Sequence, residues 1–141
     1  MKPRIGIITA QFNAEIVEPM VIAAQEELKT AQAEVTEIIR VPGSYEIPLA
    51  ANILLQKGNL DALIVLGYIE RGETLHGEVM GHVVHTSIVD LQLKYSVPIA
   101  IGIIGPGATI EQARERNVEY AIGAAKCALQ MVGVVAKLSQ K

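Results

Sequence analysis

At 141 residues the chain has room for one domain, residues 1–141, and burying about 70% of its unfolded surface is enough to fold without staples. Half of the residues are apolar, mean hydropathy is +0.34 and charged residues make up only 19%. That composition excludes disorder and points to surface covered by other copies. A net charge of −3, aromatics at 4% and no basic stripe exclude sequence-independent nucleic-acid binding, and the one cysteine, Cys127, excludes an internal disulfide or a Cys-x-x-Cys site.

The first apolar run, Ile5 to Thr9, is too short for a signal segment, and no uninterrupted apolar span of about 18 residues follows. A cytoplasmic protein without a membrane partner is the expectation. In chain order, a β-type run Arg4–Thr9 comes first. Ile16, Met20, Ala24 and Leu28 then share one helical face, opposite Glu26, Glu27 and Lys29. Val35–Arg40 alternates, as an edge strand does. Glu46–Gln56 reads as a helix with Pro48 near its start, where proline is tolerated. Ala62–Tyr68 is almost continuously apolar, the pattern of a strand covered on both faces. Met80, Val84, Ile88, Leu91 and Tyr95 recur at helical spacing, Ile99–Ile104 is a fourth strand, and Thr109–Lys137 carries Ala121, Ala125, Ala128, Val132 and Val135 on one face. Strands alternating with helices predict an α/β fold, a parallel sheet with helices on both faces. The pattern leaves strand order open.

In such sheets ligands bind beyond the carboxyl ends of the strands. The segments there are polar and glycine-rich: Gln11-Phe12-Asn13, Val41 to Glu46, Ile69 to His76, and Gly105 to Thr109. The opposite loops, around residues 31–33, 57–60 and 95–97, are ordinary connectors. Arg71-Gly72-Glu73-Thr74-Leu75-His76 opens the third helix, where free backbone N–H groups attract anions and Arg71 adds charge. His76 in that first turn is placed for proton transfer near neutral pH, or is an exposed histidine at a helix start. Thr109 and Gln112 fit a capping box. Arg116, two turns on, reaches a phosphate or is a solvated helix arginine. Phe12, the only phenylalanine, stacks on a flat ligand or packs under a loop. Ser44 is an ordinary cap for the next helix, and Glu46 is an acceptor for hydroxyl or ring N–H groups if a ligand lies near.

Other chemistries lack their parts. Gly102, Gly105 and Gly107 match neither a Walker nor a dinucleotide fingerprint. His82 and His85, three apart on one helix, lack a third ligand at suitable spacing. His76-Gly77-Glu78 has the H-x-E of zinc deaminases without Pro-Cys-x-x-Cys. No G-x-S-x-G is present, and Cys127 reads as helix packing. A response-regulator-like module would need an acidic cluster after the first strand, where this chain has Gln11-Phe12-Asn13.

Together, Phe12-Asn13, Val41-Pro42-Gly43-Ser44-Tyr45-Glu46-Ile47-Pro48, Gly72-Glu73-Thr74-Leu75-His76 and Glu111-Gln112-Ala113-Arg114-Glu115-Arg116 resemble the 6,7-dimethyl-8-ribityllumazine synthase family, from about Ile5 to Met131. The resemblance implies a flavodoxin-like αβα sandwich with a four-stranded parallel sheet. It implies pentamers, in some members assembled into icosahedral shells, with active sites at subunit interfaces. The implied transferase reaction joins 5-amino-6-(D-ribitylamino)uracil to 3,4-dihydroxy-2-butanone 4-phosphate, two substrates that react slowly unaided. It gives the lumazine, phosphate and water in the penultimate step of riboflavin synthesis. No metal or organic cofactor is implied; functional coupling to riboflavin synthase is.

On this resemblance His76 shuttles protons during phosphate elimination. Gly72, Glu73, Thr74 and Arg116 hold the phosphate, Arg116 from across a subunit boundary. Phe12 stacks on the pyrimidine, Ser44 and Glu46 bind the ribityl chain, and Asn13, Tyr45, Gly67, Tyr68, Ile69 and Ile101 complete the pyrimidine and ribityl subsites. Four departures stand out. Ile101 replaces a common phenylalanine. Glu70 takes a usually apolar position beside Arg71, where an ion pair is expected. The lysine and Asn-Lys-Gly loop after the arginine are missing across Asn117–Ala121, with Tyr120 near the lysine's place. The first strand starts without the leading extension, as in compact archaeal-type members. The alternative to the enzyme is a catalytically silent relative that binds lumazine or flavin, or forms shells.

Overall fold

A computed structural model describes residues 2–140. Four parallel strands, β1 (Arg4–Ala10), β2 (Glu34–Val41), β3 (Ala62–Glu70) and β4 (Ile99–Ala108), lie in the order β2-β1-β3-β4. The helices are α1 (Ala14–Thr30), α2 (Ile47–Gln56, after a 3-10 turn Ser44–Glu46), α3 (His76–Tyr95) and α4 (Ile110–Leu138). The three-layer α/β sandwich is the expected one, and alternating β2 is an edge strand.

Each sheet face builds its own core. Ile5, Ile7, Ile64, Leu66 and Tyr68 pack against α1 and α4 with Ile16, Met20, Leu28 and the alanines 121, 124, 125 and 128. Ile8, Leu63, Val65, Ile69 and Ile103 pack against α2 and α3 with Ile47, Leu54, Val84 and Ile88. The alanine stripe of α4 brings that helix close to the sheet: a Cβ on Gly102 of β4 would stand 3.2 Å from Ala124 Cβ and 2.7 Å from Leu66 Cδ2. Between the helices, Tyr95 Oη donates to Asn52 Oδ1 at 2.9 Å, joining α3 to α2. Buried Asn117 of α4 donates through Nδ2 to the Ile16 carbonyl of α1 at 3.0 Å.

Three expectations change. β4 does not end at Ile104 before Gly105-Pro106-Gly107 but continues to Ala108, because Tyr68 Oη and the Arg71 N–H donate to the Ala108 carbonyl at 2.9 and 3.1 Å. Gly105 makes the close passage: its φ is 89°, and a Cβ there would lie 2.3 Å from the Ile69 carbonyl oxygen. Cys127 is exposed, since the inward stripe of α4 is taken by the alanines. Finally, α4 is long and apolar enough to cross a membrane by length and composition alone, with a window hydropathy of 1.4 although lysine and glutamine interrupt it. Only 22% of that window is buried, so α4 also carries an uncovered apolar surface.

Asn117→Ala should leave the Ile16 carbonyl without that donor and cost about 1–3 kcal/mol. Urea unfolding at fixed protein concentration measures this, and an unchanged midpoint would show that the bond contributes nothing.

Candidate active site

Strand order turns back between β1 and β3, and their carboxyl ends open a crevice at that switch point. The segments after β1 and β2 are joined there. Gln11 N–H donates to the Val41 carbonyl at 2.8 Å, and Phe12 N–H to the Pro42 carbonyl at 3.1 Å. Phe12 is 67% exposed, with its ring against Gly43: a Cβ on Gly43 would sit 2.9 and 3.1 Å from Phe12 ring carbons. One side of the ring therefore rests on the loop, as the packing reading of Phe12 has it, and the ring also lines the crevice. Asn13 takes a left-handed conformation, φ 62°, to start α1 with no side-chain cap.

The 3-10 turn Ser44–Glu46 follows, closed by Glu46 N–H donating to the Gly43 carbonyl at 3.1 Å. Ser44 is buried. A Cβ on Gly67 of β3 would stand 3.0 Å from its Oγ, so Gly67 makes the space Ser44 occupies. Tyr68 is buried beside it, and its phenol is pushed above the ordinary tyrosine range by burial first, then by Glu70 and Glu111.

His76 opens α3. Its backbone N–H donates to Thr74 Oγ1 at 3.4 Å, and no side chain of the N-cap residue, Leu75, covers the helix start. The first-turn N–H groups beyond His76 face outward with the positive end of the helix dipole, an arrangement that receives an anion. The His76 ring meets the Tyr45 ring edge-to-face, centroids 6.1 Å apart and planes at 71°.

Phe12, Asn13, Ser44, Tyr45, Glu46, Tyr68, Ile69, Gly72, Thr74 and His76 line one crevice of about 500 Å³. Four expected residues do not line it. Gly67 lies beneath Ser44. Glu73 faces a hollow of about 280 Å³ on the other side of the 71–75 loop, with Arg71. Ile101 is half-buried against the α2–α3 core. Arg116 is exposed on α4, and among the described residues it forms no ion pair; Arg114 instead pairs with Glu15 at 3.2 Å. The expected Glu70–Arg71 pair does not form: the ion pairs among the described residues are Arg4–Asp61, Arg40–Glu18, Lys57–Glu37 and Arg114–Glu15.

Sequence reasoning missed Ala10, Gly77 and Met80 as lining residues, and placed Gly43 and Glu70 in the strand-exit segments without singling them out for the site. Gly77 and Met80 were legible in principle, at one and four positions past His76 on the same helix. A wider concavity of about 620 Å³ at the opposite end of the sheet is lined by Lys2, Lys29, Gln32 and apolar neighbours, with no acid–base pair. His85 Nδ1 is spent on the Gly81 carbonyl at 2.7 Å, and no trio of His, Cys, Asp or Glu able to hold a metal occurs among the described residues.

A buried serine, an acidic acceptor and an exposed ring on one wall, with an imidazole at an uncapped helix start on the other, make the switch-point crevice the candidate active site of an α/β protein of the doubly wound class. Comparison of sequences gives the family: the profile of 6,7-dimethyl-8-ribityllumazine synthase matches residues 2–136, and the chain belongs to that family. A Metallosphaera sedula protein of that name is 42% identical over 128 residues, covering 91% of this chain and 85% of its own. Relatives of the same name from Saccharolobus islandicus and Archaeoglobus fulgidus are 41% and 40% identical, covering 97% and 93% of this chain and 89% and 91% of their own.

Gly43→Ala tests the wall that carries Phe12. Gly43 is extended, φ −147°, so alanine fits the backbone and the only conflict is with the ring. The variant should fold normally and bind a ribitylamino-uracil up to about tenfold more weakly by calorimetry, the loss of about 0.5–1.5 kcal/mol of stacking. Unaltered affinity would remove Phe12 from the binding wall.

Proposed function

We propose that this chain condenses 5-amino-6-(D-ribitylamino)uracil with 3,4-dihydroxy-2-butanone 4-phosphate to 6,7-dimethyl-8-ribityllumazine, the penultimate step of riboflavin synthesis. The observation that carries the reading is the placement of His76 at the start of α3, in one crevice with Phe12 and the Ser44–Glu46 turn. Family membership over residues 2–136 supports it.

The uracil ring lies on Phe12, with its ribityl hydroxyls toward Ser44 and Glu46. The phosphate sits against the backbone of Gly72 to Thr74 and the first turn of α3. The substrate's primary amine attacks the ketone, giving an imine and one water. A carbon–oxygen bond then breaks and phosphate leaves, with His76 moving the proton. The enol left at C3 takes up a proton at C4 and becomes a ketone, and the ribitylamino nitrogen closes onto that new carbonyl, releasing a second water. Most of the acceleration comes from holding the two reactants in register, worth up to about 7–11 kcal/mol. The reaction in this reading uses no cofactor, runs in the cytoplasm and supplies riboflavin synthase.

One charge is missing from the crevice. Its lining holds Glu46 and Glu70 but no lysine or arginine. A dianionic phosphate therefore calls for a cation from elsewhere, and Arg116, exposed on α4, serves the crevice of a neighbouring copy. Association is supported by exposed apolar side chains on one side of the sandwich: Leu49 and Ile53 of α2 with Val79, Val83 and Leu93 of α3. We infer a homo-oligomer, a pentamer or an assembly of pentamers. Light scattering tests this, and a 15.1 kDa monomer would contradict it.

Turnover with both substrates, followed by lumazine absorbance, tests the activity; binding of lumazine without turnover would identify a silent relative instead. His76→Ala should lower kcat by about 10–100-fold with little change in KM, near or below the low end for general acid–base catalysis because the reactants condense unaided. Arg116→Ala should raise KM for the butanone phosphate by about tenfold or more, the worth of a charge-assisted bond. Normal turnover by Arg116→Ala at low butanone phosphate would remove Arg116 from the anion site.

A further inference from the structure

We infer that Tyr45 is a positioning residue for the His76 imidazole, a role that rests on the proton-transfer reading of His76 above. A proton-transferring histidine needs its ring held in one orientation, a task usually met by a carboxylate or carbonyl on the second nitrogen. Here nothing of that kind is present: among the described residues the His76 ring makes no hydrogen bond or ion pair, and only its backbone N–H is engaged, with Thr74. The ring is also exposed at the start of its helix, so little packing limits its rotation.

The partner it does have is the ring of Tyr45, 6.1 Å away and at 71°. In this edge-to-face arrangement the positive edge of one ring meets the negative face of the other, which favours one relative orientation over rotation. The backbone of Tyr45 is itself well anchored. Ser44 on one side is buried, Ile47 two residues on is fully buried, and the turn is closed by the Glu46 N–H bond to the Gly43 carbonyl. Tyr45 is 42% exposed and its phenol oxygen makes no hydrogen bond among the described residues, so the ring is not tied to another task in the fold. The tripeptide Ser44-Tyr45-Glu46 thus divides its work in this reading: its outer members serve the substrate chain, and the ring of the middle one sets the orientation of the imidazole.

The test compares Tyr45→Phe, which keeps the ring, with Tyr45→Leu, which keeps apolar bulk without one. Measured against Tyr45→Phe, Tyr45→Leu should lose about tenfold in kcat while KM for both substrates differs between the two variants by no more than about twofold, the mark of a misaligned group and not of a lost substrate contact. The second readout needs no turnover: with carbon-13 histidine, assigned by His76→Gln, the ring C–H resonances of His76 should stay in place in Tyr45→Phe and move toward free-histidine values in Tyr45→Leu. An unchanged kcat in Tyr45→Leu, a loss confined to KM, or unmoved resonances would each overturn the inference. Should the parent itself not turn over, the functional reading above falls, and the resonance comparison still decides whether Tyr45 holds the ring.

Discussion

The turning back of strand order between β1 and β3 is the constraint on which the other features rest. It leaves one gap in the helical layers, at the carboxyl ends of two buried strands, and every chain segment leaving those ends must border it. The β1 and β2 exits are bonded together through Gln11 and Phe12. The β3 exit is the run Glu70–Leu75, which delivers His76 to a helix start with unsatisfied N–H groups. The residues proposed as binding wall, acid–base group and anion seat thus meet in one crevice although they come from positions 12, 44–46 and 72–76.

Small residues set how closely these parts approach. Gly67 gives Ser44 its place, Gly43 gives Phe12 its place, and Gly105 lets β4 pass the Ile69 carbonyl. Gly77, in the first turn of α3, lies where a Cβ would come within 3.1 Å of the Glu70 carbonyl oxygen. A larger residue at any of these positions would act on the crevice through its wall and not through the ligand. Among the described residues no lysine or arginine lines the same crevice, and in the proposed reading that deficit links the chemistry to assembly, since the proposed anion seat has the helix dipole but no guanidinium of its own.

Much of this was legible before the structure. Buried parallel strands read as continuous apolar runs, β2 betrayed its edge position by alternation, and Thr109 with Gln112 forms the capping box its spacing announced. His76 in the first turn of α3 followed from the helical spacing of Met80 to Tyr95, whereas the start of α3 at His76 itself, past Arg71–Leu75, did not. What was not legible depends on three-dimensional neighbours. Continuation of β4 through Gly105-Pro106-Gly107 relies on Tyr68 and Arg71 from another strand exit. Cys127 looked inward because its neighbours are small, yet the sheet accepts only the alanines at 121, 124, 125 and 128. Adjacent Glu70 and Arg71 border the same hollow yet share no ion pair, a matter of side-chain placement that adjacency in sequence does not set. Arg116 and Ile101 were placed in the site by motif, and within one chain they stand outside it.

The central claim is that each crevice is completed by Arg116 of a neighbouring copy. Co-assembly of His76→Ala chains with Arg116→Ala chains tests it most directly. If Arg116 acts across a boundary, random mixing gives about a quarter of the interfaces an intact His76 facing an intact Arg116, and turnover rises above that of either variant alone. If Arg116 acts within its own chain, every crevice in the mixture keeps a lesion, and if it does not act at all, the Arg116→Ala chains are unimpaired before mixing; in either case the mixed assemblies turn over no faster than the average of the two variants, the result that would contradict the account.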